Sequence, residues 1–465
     1  MMTIWNPDIT GHHRSKSLAI AEAIARDIEN GTLVDGDRLP PQRDLAYGLG
    51  VSLNTVTRGY AEAARRGLVG GETGRGTYIR VGTPAPLSLV PARTELDSTG
   101  PIDLTLNLPV PGNSADLLRD TLVDLAGSNI LNDLLDYQPG GGLPAHKAAG
   151  AAWIGRSGLH VSDDNVFVTA GAQHAILVAL MATTRPGDTV LVETMTYPSL
   201  KQIASHLGLK LIPVALDEAG LIPSDLDTAC AGTGAKVLYC LPTIQTPTTV
   251  TMPEDRRREI ADVARRHGLT IIEDDVFGML PEERPLPLAA FAPERSLYIT
   301  GVSKSLAPGL RIGYLSAPAA YKTAIASAIT STCWVLPPLM AEIATRWIAD
   351  GTADRLNGLQ RREIAARLDM AREYLGAYEL HSHPNSLHVW LPLPPPLRAE
   401  EFRVNLAGHG VKVLTAEVFA VGQTSAPQAI RICLGYETSR ERLLLGLQAI
   451  AGNLKDPNPP DEMYV

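Results

Sequence analysis

A lysine and an arginine stand seven positions apart in the stretch TGVSKSLAPGLRIGY, whose other residues are mostly small or apolar. A buried ammonium group is costly unless it is paired or chemically used, so Lys304 is a candidate amine nucleophile. Arg311 follows a Pro-Gly turn and could hold an anion beside that amine. A surface loop with one solvated lysine would fit the same residues, so the stretch alone does not decide between the two interpretations.

The region around Lys304 has the pattern of an α/β body. From about residue 165, strand-like runs alternate with helical stretches over 172–184 and 253–268, which predicts a mainly parallel sheet covered on both faces. The strand-like runs are NVFVTA, DTVLVE, LKLIPVAL, KVLYCLP, LTIIEDD and SLYIT. Ligands of such sheets bind where strands end, and the polar clusters found there are TAGAQ, TMTYP, PTIQTPT, EDD and GVSK.

The composition is that of a folded protein with more than one domain. The chain has 465 residues, of which 45% are hydrophobic and 20% charged, which argues against wholesale disorder. Its apolar stretches fall short of the roughly 20 residues that a membrane span needs, and the N-terminus lacks the apolar core of a secretory signal. The four cysteines are scattered, so neither a metal site nor a redox motif is predicted, and a cytoplasmic protein with reduced thiols is expected.

The charge is unevenly distributed along the chain. The net charge is -9, but residues 1–80 carry 10 Lys and Arg against 9 Asp and Glu, whereas the remainder carries 31 against 41. A near-neutral small domain on an acidic body can still bind DNA if its basic side chains share one face. The net charge therefore excludes no role in nucleic-acid binding.

The first eighty residues have the pattern of three short helices followed by a hairpin. Apolar residues recur at helical spacing from Leu18 to Ile28, a short helix is predicted over 42–49, and Ser52 is a good N-cap for a third helix. The stretch LVGGETGRGTYIR alternates turn glycines with strand formers, as a two-stranded wing would. Two helices joined by a short turn form a helix-turn-helix, whose second helix enters the major groove. A plain three-helix bundle would fit the same pattern.

This segment closely resembles the winged helix-turn-helix of GntR-type bacterial regulators. The resemblance runs from about Ser15 to Arg80 and rests on LPPQRDLA, GVSxNTVxRxY and GRGTY. It implies that residues 1–80 are a DNA-binding domain for a double-stranded operator, followed over 81–100 by a semi-rigid linker with three prolines. The residues that should face DNA are Arg43, Ser52, Asn54, Thr55 and Thr57, with Gly74 and Arg75 in the wing.

One position departs from the GntR pattern. Leu53 stands where the family often has an arginine that reads a guanine. An apolar side chain can contact a thymine methyl group instead, so weaker preference for guanine is expected at that base pair.

The remainder of the chain resembles the fold-type I pyridoxal 5'-phosphate enzymes of the aspartate aminotransferase class. SKSLAPGLRIGY is similar to their lysine signature, and four other motifs occur around it in the order that the family requires. These motifs are YQPGGG...AHKAAGAAWI, TAGAQHAI, EDDVFG and IRICLGY. The resemblance implies that residues 101–465 have the α/β fold of type I pyridoxal phosphate-dependent transferases, with a mainly parallel large-domain sheet and a smaller α/β domain.

The resemblance also implies a role for each matching residue. Lys304 would form the internal aldimine with the cofactor, and Asp274 would keep the ring nitrogen protonated so that the ring acts as an electron sink. Tyr197 would stack on the ring, Tyr137 would reach the phosphate from the partner subunit of a homodimer, and Arg431 would bind a carboxylate. The phosphate would be held by Arg311, Ser303 and the backbone at Gly171, Ala172 and Gln173.

Three positions depart from the aminotransferase pattern. Thr246 replaces an asparagine, and Phe277 replaces a tyrosine, that both hydrogen-bond the cofactor's 3'-oxygen in many members. His146-Lys147 replaces a common Leu-Arg pair. The first two departures remove polar partners from one atom, although the Thr246 hydroxyl could partly substitute. A site of this kind is less suited to fast transamination.

A GntR-type winged helix fused to an aminotransferase-like body is the layout of the MocR subgroup of bacterial regulators. The resemblance predicts a transcription regulator that senses pyridoxal phosphate, or an amine or amino acid that reacts with it, through Lys304. The alternative is a pyridoxal phosphate-dependent aminotransferase with an accessory DNA-binding domain, which the retained Lys304, Asp274, Arg311 and Arg431 permit. The weakened 3'-oxygen site favours the regulator.

Overall fold

Two units make up the chain, residues 1–89 and 90–465. The computed structural model describes residues 5–7, 9, 16–34, 37–65, 68–72, 76–79, 100–110, 112, 114–137, 141–422 and 426–455. Gly74 and Arg75 of the predicted wing, and the predicted linker except Gly100, lie outside these residues.

The N-terminal unit consists of three helices and a two-stranded sheet. The helices are α1 (Lys16–Glu29), α2 (Gln42–Leu49) and α3 (Leu53–Arg65), and β1 (Val69–Glu72) pairs antiparallel with β2 (Gly76–Ile79). Helix α2 has the predicted bounds. The predicted cap of α3 is also confirmed, because Ser52 Oγ accepts a hydrogen bond from the Thr55 amide at 3.1 Å.

The core of this unit is formed by apolar residues at helical spacing. Ile20 and Ile24 of α1 and Val56 and Tyr60 of α3 are buried. Gly59 makes the close packing of α1 and α3 possible, because a Cβ atom at that position would lie 2.9 Å from the Ile20 side chain. The three helices and the hairpin therefore have the architecture of a winged helix-turn-helix.

A seven-stranded sheet forms the centre of the second unit. Its spatial order is β4-β12-β11-β10-β9-β5-β6, and the pairs among β11, β10, β9, β5 and β6 are parallel, as predicted. Within this sheet β12 runs antiparallel to both β11 and β4, which the sequence pattern did not indicate. The strands are β4 (Val166–Thr169), β5 (Thr189–Glu193), β6 (Lys210–Val214), β9 (Val237–Cys240), β10 (Thr270–Asp274), β11 (Ser296–Gly301) and β12 (Gly313–Ser316).

Helices cover both faces of this sheet. One apolar cluster lies against the first face, and two lie against the opposite face. Buried side chains of α7 and α11 pack on the first face, against β5, β9, Ile272 of β10, and Leu297 and Ile299 of β11. Buried side chains of α6, α9, α10 and α12 pack on the opposite face. The helices of the second unit as far as residue 349 are α4 (Ser114–Ala126), α5 (Leu131–Leu135), α6 (Pro144–Gly155), α7 (Ala172–Thr183), α8 (Pro198–His206), α9 (Pro223–Thr233), α10 (Glu254–His267), α11 (Lys322–Thr332) and α12 (Pro338–Ala349).

The C-terminal part of the second unit has its own core. A three-stranded antiparallel sheet in the order β13-β16-β15 packs with three helices, and β14 pairs in parallel with β3 near the start of the unit. These elements are α13 (Thr352–Leu375), α14 (Ala399–Gly408), α15 (Arg440–Lys455), β3 (Ile102–Asp103), β13 (His388–Pro392), β14 (Val411–Lys412), β15 (Leu414–Thr415) and β16 (Ala429–Cys433). A two-stranded hairpin, β7 (Leu216–Asp217) with β8 (Gly220–Leu221), lies beside the large sheet. The predicted smaller α/β domain is thus confirmed.

Candidate cofactor site and DNA-binding surface

The ends of the large-domain strands surround a cavity of about 810 Å³, a volume that includes its open mouth. It lies at the carboxyl ends of β10 and β11, the position expected for a ligand of a parallel sheet. Nine of the residues predicted from the sequence line it, namely Lys304, Asp274, Arg311, Ser303, Ala172, Gln173, Tyr197, Thr246 and Arg431. Residues more than 250 positions apart in the chain are thereby brought into one site.

Lys304 follows the end of β11 and has few charged neighbours of opposite sign. Burial, and after it the positive charge of Arg431, lower the pKa of Lys304 to about 8. Its Nζ atom donates a hydrogen bond to the backbone oxygen of Asn107 and lies 5.8 Å from the centre of the Phe277 ring. An amine with this pKa is partly uncharged near neutral pH, and an uncharged amine is the nucleophilic form.

Asp274 is the last residue of β10 and is buried. Its Oδ2 atom accepts a hydrogen bond from the Tyr239 hydroxyl at 2.6 Å, whereas Oδ1 is buried and has no hydrogen-bond partner among the described residues. Burial raises the pKa of Asp274 to about 6, although the Tyr239 hydrogen bond acts in the opposite direction. A buried carboxylate oxygen without a partner fits a ligand that brings a protonated ring nitrogen.

The N-terminus of α7 and Arg311 form the anion-binding part of the cavity. Gly171 precedes α7 with a φ of 81°, and a Cβ atom there would lie 2.7 Å from Arg311 Nη2. Gly313 of β12 is equally constrained, since its Cβ atom would lie 2.6 Å from the backbone carbon of Gly171. Backbone amides of a helix N-terminus beside a guanidinium group are the donors that a phosphate requires.

Tyr197, Thr246 and Phe277 line the same cavity. Burial raises the pKa of the Tyr197 phenol. Thr246 Oγ1 accepts a hydrogen bond from Arg431 Nη1 at 3.4 Å, so its hydroxyl is directed towards the predicted carboxylate-binding arginine. The two departures from the family pattern, Thr246 and Phe277, therefore both line this cavity.

Arg431 is held on β16 by neutral groups. Its Nη2 atom donates to the backbone oxygen of Thr105 at 2.7 Å, and its guanidinium stands 4.7 Å from the centre of the Phe419 ring. Its Nε atom is buried with no hydrogen-bond partner among the described residues. The arginine thus retains donor capacity for a carboxylate.

Tyr137 is not brought into this cavity by the chain's own fold. Its side chain is 76% exposed, and its ring centre lies 6.2 Å from that of Trp334, which is also exposed. Sequence reasoning missed three site residues: Tyr239, which bonds Asp274, Asn107, whose backbone contacts Lys304, and His388, which contacts Asn107. A histidine inside the apolar strand run SLHVWLP was the one available signal for His388; Asn107 had none.

The predicted DNA-contacting residues that are described lie together around α2 and the N-terminal part of α3. Arg43, Ser52, Asn54 and Thr57 are exposed, and Thr55 is half-buried. Ser52 and Thr57 also bond within the unit, because Ser52 Oγ contacts Thr55 Oγ1 at 2.8 Å and Thr57 Oγ1 donates to Gln42 Oε1 at 2.7 Å. Arg58 is exposed one turn after Asn54 and was missed, although its spacing on the helix indicates the same face.

None of the helices within the described ranges is both long and apolar enough to cross a bilayer.

Family comparisons match both units. Residues 16–79 match the model of bacterial regulatory proteins of the gntR family, and residues 108–450 match that of the class I and II aminotransferases. The chain is 31% identical over 456 residues to the HTH-type transcriptional regulator YdeF of Bacillus subtilis, covering 97% of each chain. It is 28% identical to PtsJ, the vitamin B6 salvage pathway transcriptional repressor of Salmonella typhimurium, covering 89% of this chain and 93% of PtsJ.

The solved structures support the fold of the body. The kynurenine aminotransferase of Pyrococcus horikoshii superposes with a TM-score of 0.71 at 24% identity, covering 78% of this chain and 92% of that one. Pyridoxal 5'-phosphate is the cofactor of this fold family, and the unpartnered Asp274 oxygen, the Gly171–Arg311 contact and the buried Lys304 amine fit it. The chain belongs to the class I and II aminotransferase family and, with its N-terminal gntR-family domain, is a transcription regulator of the MocR type.

Proposed function

We propose that this regulator binds an operator through its N-terminal unit and senses pyridoxal phosphate, or an amine or amino acid that reacts with it, through Lys304. In this proposal residues 1–80 are the DNA-binding domain, 81–100 the linker and 101–465 the sensor, in a cytoplasmic protein. The observation that carries it is the buried Lys304 amine with a lowered pKa in one cavity with the unpartnered Oδ1 atom of Asp274.

When bound, pyridoxal phosphate supplies an aldehyde that links covalently to an amine and a ring that withdraws electrons. Lys304 provides that amine, and its lowered pKa leaves a share of it uncharged near neutral pH. Asp274 Oδ1 would accept a hydrogen bond from the protonated ring nitrogen, while the Tyr239 hydroxyl donates to Oδ2. The phosphate would be held by Arg311, Ser303 and the α7 N-terminus at Gly171, Ala172 and Gln173.

The remaining residues of the cavity suit an amino-acid effector. Arg431 would hold its carboxylate, Tyr197 would stack on the ring, and Thr246 would bond the 3'-oxygen in part. The name of PtsJ, a repressor of vitamin B6 salvage, supports the cofactor itself as one candidate signal. An effector that reacts at Lys304 must bind two states of the protein unequally in order to change DNA affinity.

The proposal includes a homodimer. Tyr137 is exposed beside Trp334, and the nearby helices α4 and α5 expose Val123 and Leu135. Exposed aromatic and aliphatic side chains of this kind are typical of subunit interfaces. A second copy would cover them and would bring its own Tyr137 to the phosphate, as the family resemblance implies. Two winged helices would then read two half-sites of the operator.

A true aminotransferase with an accessory DNA-binding domain is the second candidate. It is favoured by one observation, that Lys304, Asp274, Arg311 and Arg431 all line one cavity. Against it stand Thr246 and Phe277, which leave the cofactor's 3'-oxygen with fewer polar partners than in many aminotransferases.

A footprint on the DNA upstream of the protein's own gene, with and without pyridoxal phosphate, tests the proposal. We expect two protected half-sites whose occupancy changes when the cofactor is added. Rapid turnover of one amino acid by the purified protein, with no specific footprint, would instead establish the aminotransferase.

A further inference from the structure

A half-buried amide, Asn107, and a buried imidazole, His388, contact each other beside Lys304 and have no role in the function proposed above. We propose that His388 is a positioning residue that, through Asn107, determines where the Lys304 amine is held before the cofactor arrives. The inference rests on the proposed function, because it takes Lys304 as the cofactor-binding amine.

Two hydrogen bonds connect the three residues. Lys304 Nζ donates to the backbone oxygen of Asn107, and Asn107 Nδ2 lies 3.0 Å from His388 Nδ1. Asn107 belongs to residues 105–110, which we call the entry segment because they lead from the start of the second unit to the cavity. The far end of this segment is fixed to α13, where Gln360 bonds both the amide and the carbonyl group of Val110. His388 is the side chain that fixes Asn107 itself.

The imidazole of His388 is in a defined protonation state. With Asn107 Nδ2 as the donor, His388 Nδ1 accepts and the ring proton is on Nε2, a buried atom with no hydrogen-bond partner among the described residues. Burial, followed by the positive charges of Arg431 and Lys304, holds the pKa of His388 well below its usual range, so the ring stays neutral. Ser386 Oγ donates to the backbone oxygen of His388 at 2.7 Å and therefore does not donate to the ring.

His388 also stands next to Phe277, one of the departures from the aminotransferase pattern. The ring centre of His388 lies 5.9 Å from that of Phe277. The histidine thus lies between Asn107 of the entry segment and Phe277. Lys304 Nζ lies 5.8 Å from the centre of the same Phe277 ring.

A histidine that only fills space in the core would behave differently from a positioning residue. If Asn107 loses its partner on His388, its carbonyl no longer has a fixed position beside Nζ. The charged form of Lys304 then loses a hydrogen bond, whereas the surrounding charged and titratable groups stay, namely Arg431, Cys433, Asp274 and Arg311. Since a hydrogen bond to the charged form favours that form, losing it lowers the pKa of the amine further.

The test measures covalent capture of pyridoxal phosphate by the cofactor-free protein as a function of pH, with borohydride trapping and mass spectrometry of the Lys304 peptide. Capture requires the uncharged amine, so its midpoint reports the pKa of Lys304. We expect His388→Leu to move the midpoint down by about one pH unit, the scale of one charge-assisted hydrogen bond. His388→Asn should restore the wild-type midpoint, because Asn Oδ1 stands where His Nδ1 stood and accepts in its place.

The variant Asn107→Ala tests the same interaction independently, because it removes the amide and keeps the buried His388. It should lower the midpoint as His388→Leu does, and the double variant should shift it no further, since both changes remove one interaction. Thermal unfolding of each cofactor-free variant measures how much stability the substitution removes. A wild-type capture midpoint in His388→Asn would show that the shift in His388→Leu comes from the lost acceptor and not from lower stability.

The outcomes distinguish the two proposals. If the wild type captures the cofactor at Lys304 and all variants share its midpoint, His388 has no positioning role. If the midpoint falls in His388→Leu and in Asn107→Ala but returns in His388→Asn, the inference holds. If the wild type captures no cofactor at Lys304 at any pH, the proposed function itself is wrong, and the inference falls with it.

Discussion

Gly171 and Arg311 pack so closely that a Cβ atom added to Gly171 would lie 2.7 Å from Arg311 Nη2. The φ of Gly171 is 81°, so the position also requires a backbone conformation that other residues adopt at a cost. The phosphate-binding part of the site therefore depends on the absence of a side chain at one residue.

Gly171→Ala should weaken pyridoxal phosphate binding by at least about tenfold, because Arg311 must move away from the phosphate position. A titration of cofactor absorbance against protein concentration measures this. Gly187→Ala is the matched control, since Gly187 has a φ of 92° but nothing within 4 Å of its Cβ position. Equal losses in the two variants would mean that backbone strain, and not the contact with Arg311, causes the effect.

Tyr239→Phe should also weaken cofactor binding. The change removes the 2.6 Å hydrogen bond to Asp274 Oδ2, so the carboxylate is destabilised and the pKa of Asp274 rises above about 6. Hydrogen bonds to charged groups contribute about 1.5–3 kcal/mol, which corresponds to a loss of roughly tenfold or more in affinity. Tyr314→Phe is the control, because the Tyr314 hydroxyl is buried without a hydrogen-bond partner among the described residues. Its removal should leave the dissociation constant unchanged.

The stability of the cofactor-free protein should depend on pH through Glu193. Burial raises the pKa of Glu193 from 4.5 to about 8 in the folded chain. A carboxyl group whose pKa is higher in the folded than in the unfolded chain stabilises the fold fully at a pH below its pKa in the unfolded chain. For Glu193 this contribution disappears as the pH rises from about 4.5 through 8. Glu193→Gln cannot ionise, and its amide oxygen can still accept from the Leu241 amide and Gln245 Nε2, both 3.3 Å from Glu193 Oε2.

Urea unfolding of the wild type and of Glu193→Gln between about pH 5 and pH 9 measures how the free energy of unfolding of each protein depends on pH. The free energy of unfolding of the wild type should fall relative to that of Glu193→Gln by at least about 1.4 kcal/mol, the equivalent of one pH unit. Parallel curves would show that Glu193 ionises normally in the folded chain.

Arg43→Ala should weaken operator binding several-fold and lower the slope of log affinity against log salt by about one, because one fewer phosphate contact releases fewer counterions. Trapping of pyridoxal phosphate at Lys304 should not change. Arg26→Ala is the control, since Arg26 is exposed on α1 but pairs with Asp27 at 3.2 Å. If Arg26→Ala lost as much DNA affinity as Arg43→Ala, the loss in Arg43→Ala would be due to the change in net charge and not to a phosphate contact.

Local patterns were sufficient to predict most of the fold. The alternation of strand and helix runs, the cap at Ser52 and the helix over 42–49 depend on neighbours within a few residues, and all are present in the structure. The antiparallel direction of β12 was not predictable, because GYLS carries no information about the strand beside it.

The site was predictable where motifs match the family and not where contacts are long-range. Lys304 and Asp274 belong to strong motifs, and both line the cavity. Asn107 and His388 are 281 positions apart, and neither belongs to a motif that was matched. Their contact depends on how the entry segment packs against the first residue of β13, which sequence patterns cannot indicate.

The central claim, that the body senses through Lys304, is tested most directly by operator affinity of the wild type and of Lys304→Ala, each with and without pyridoxal phosphate. The N-terminal unit has its own core, so Lys304→Ala should still bind DNA. We predict that pyridoxal phosphate changes the operator affinity of the wild type and leaves that of Lys304→Ala unchanged. The same change in both proteins would contradict sensing through this lysine.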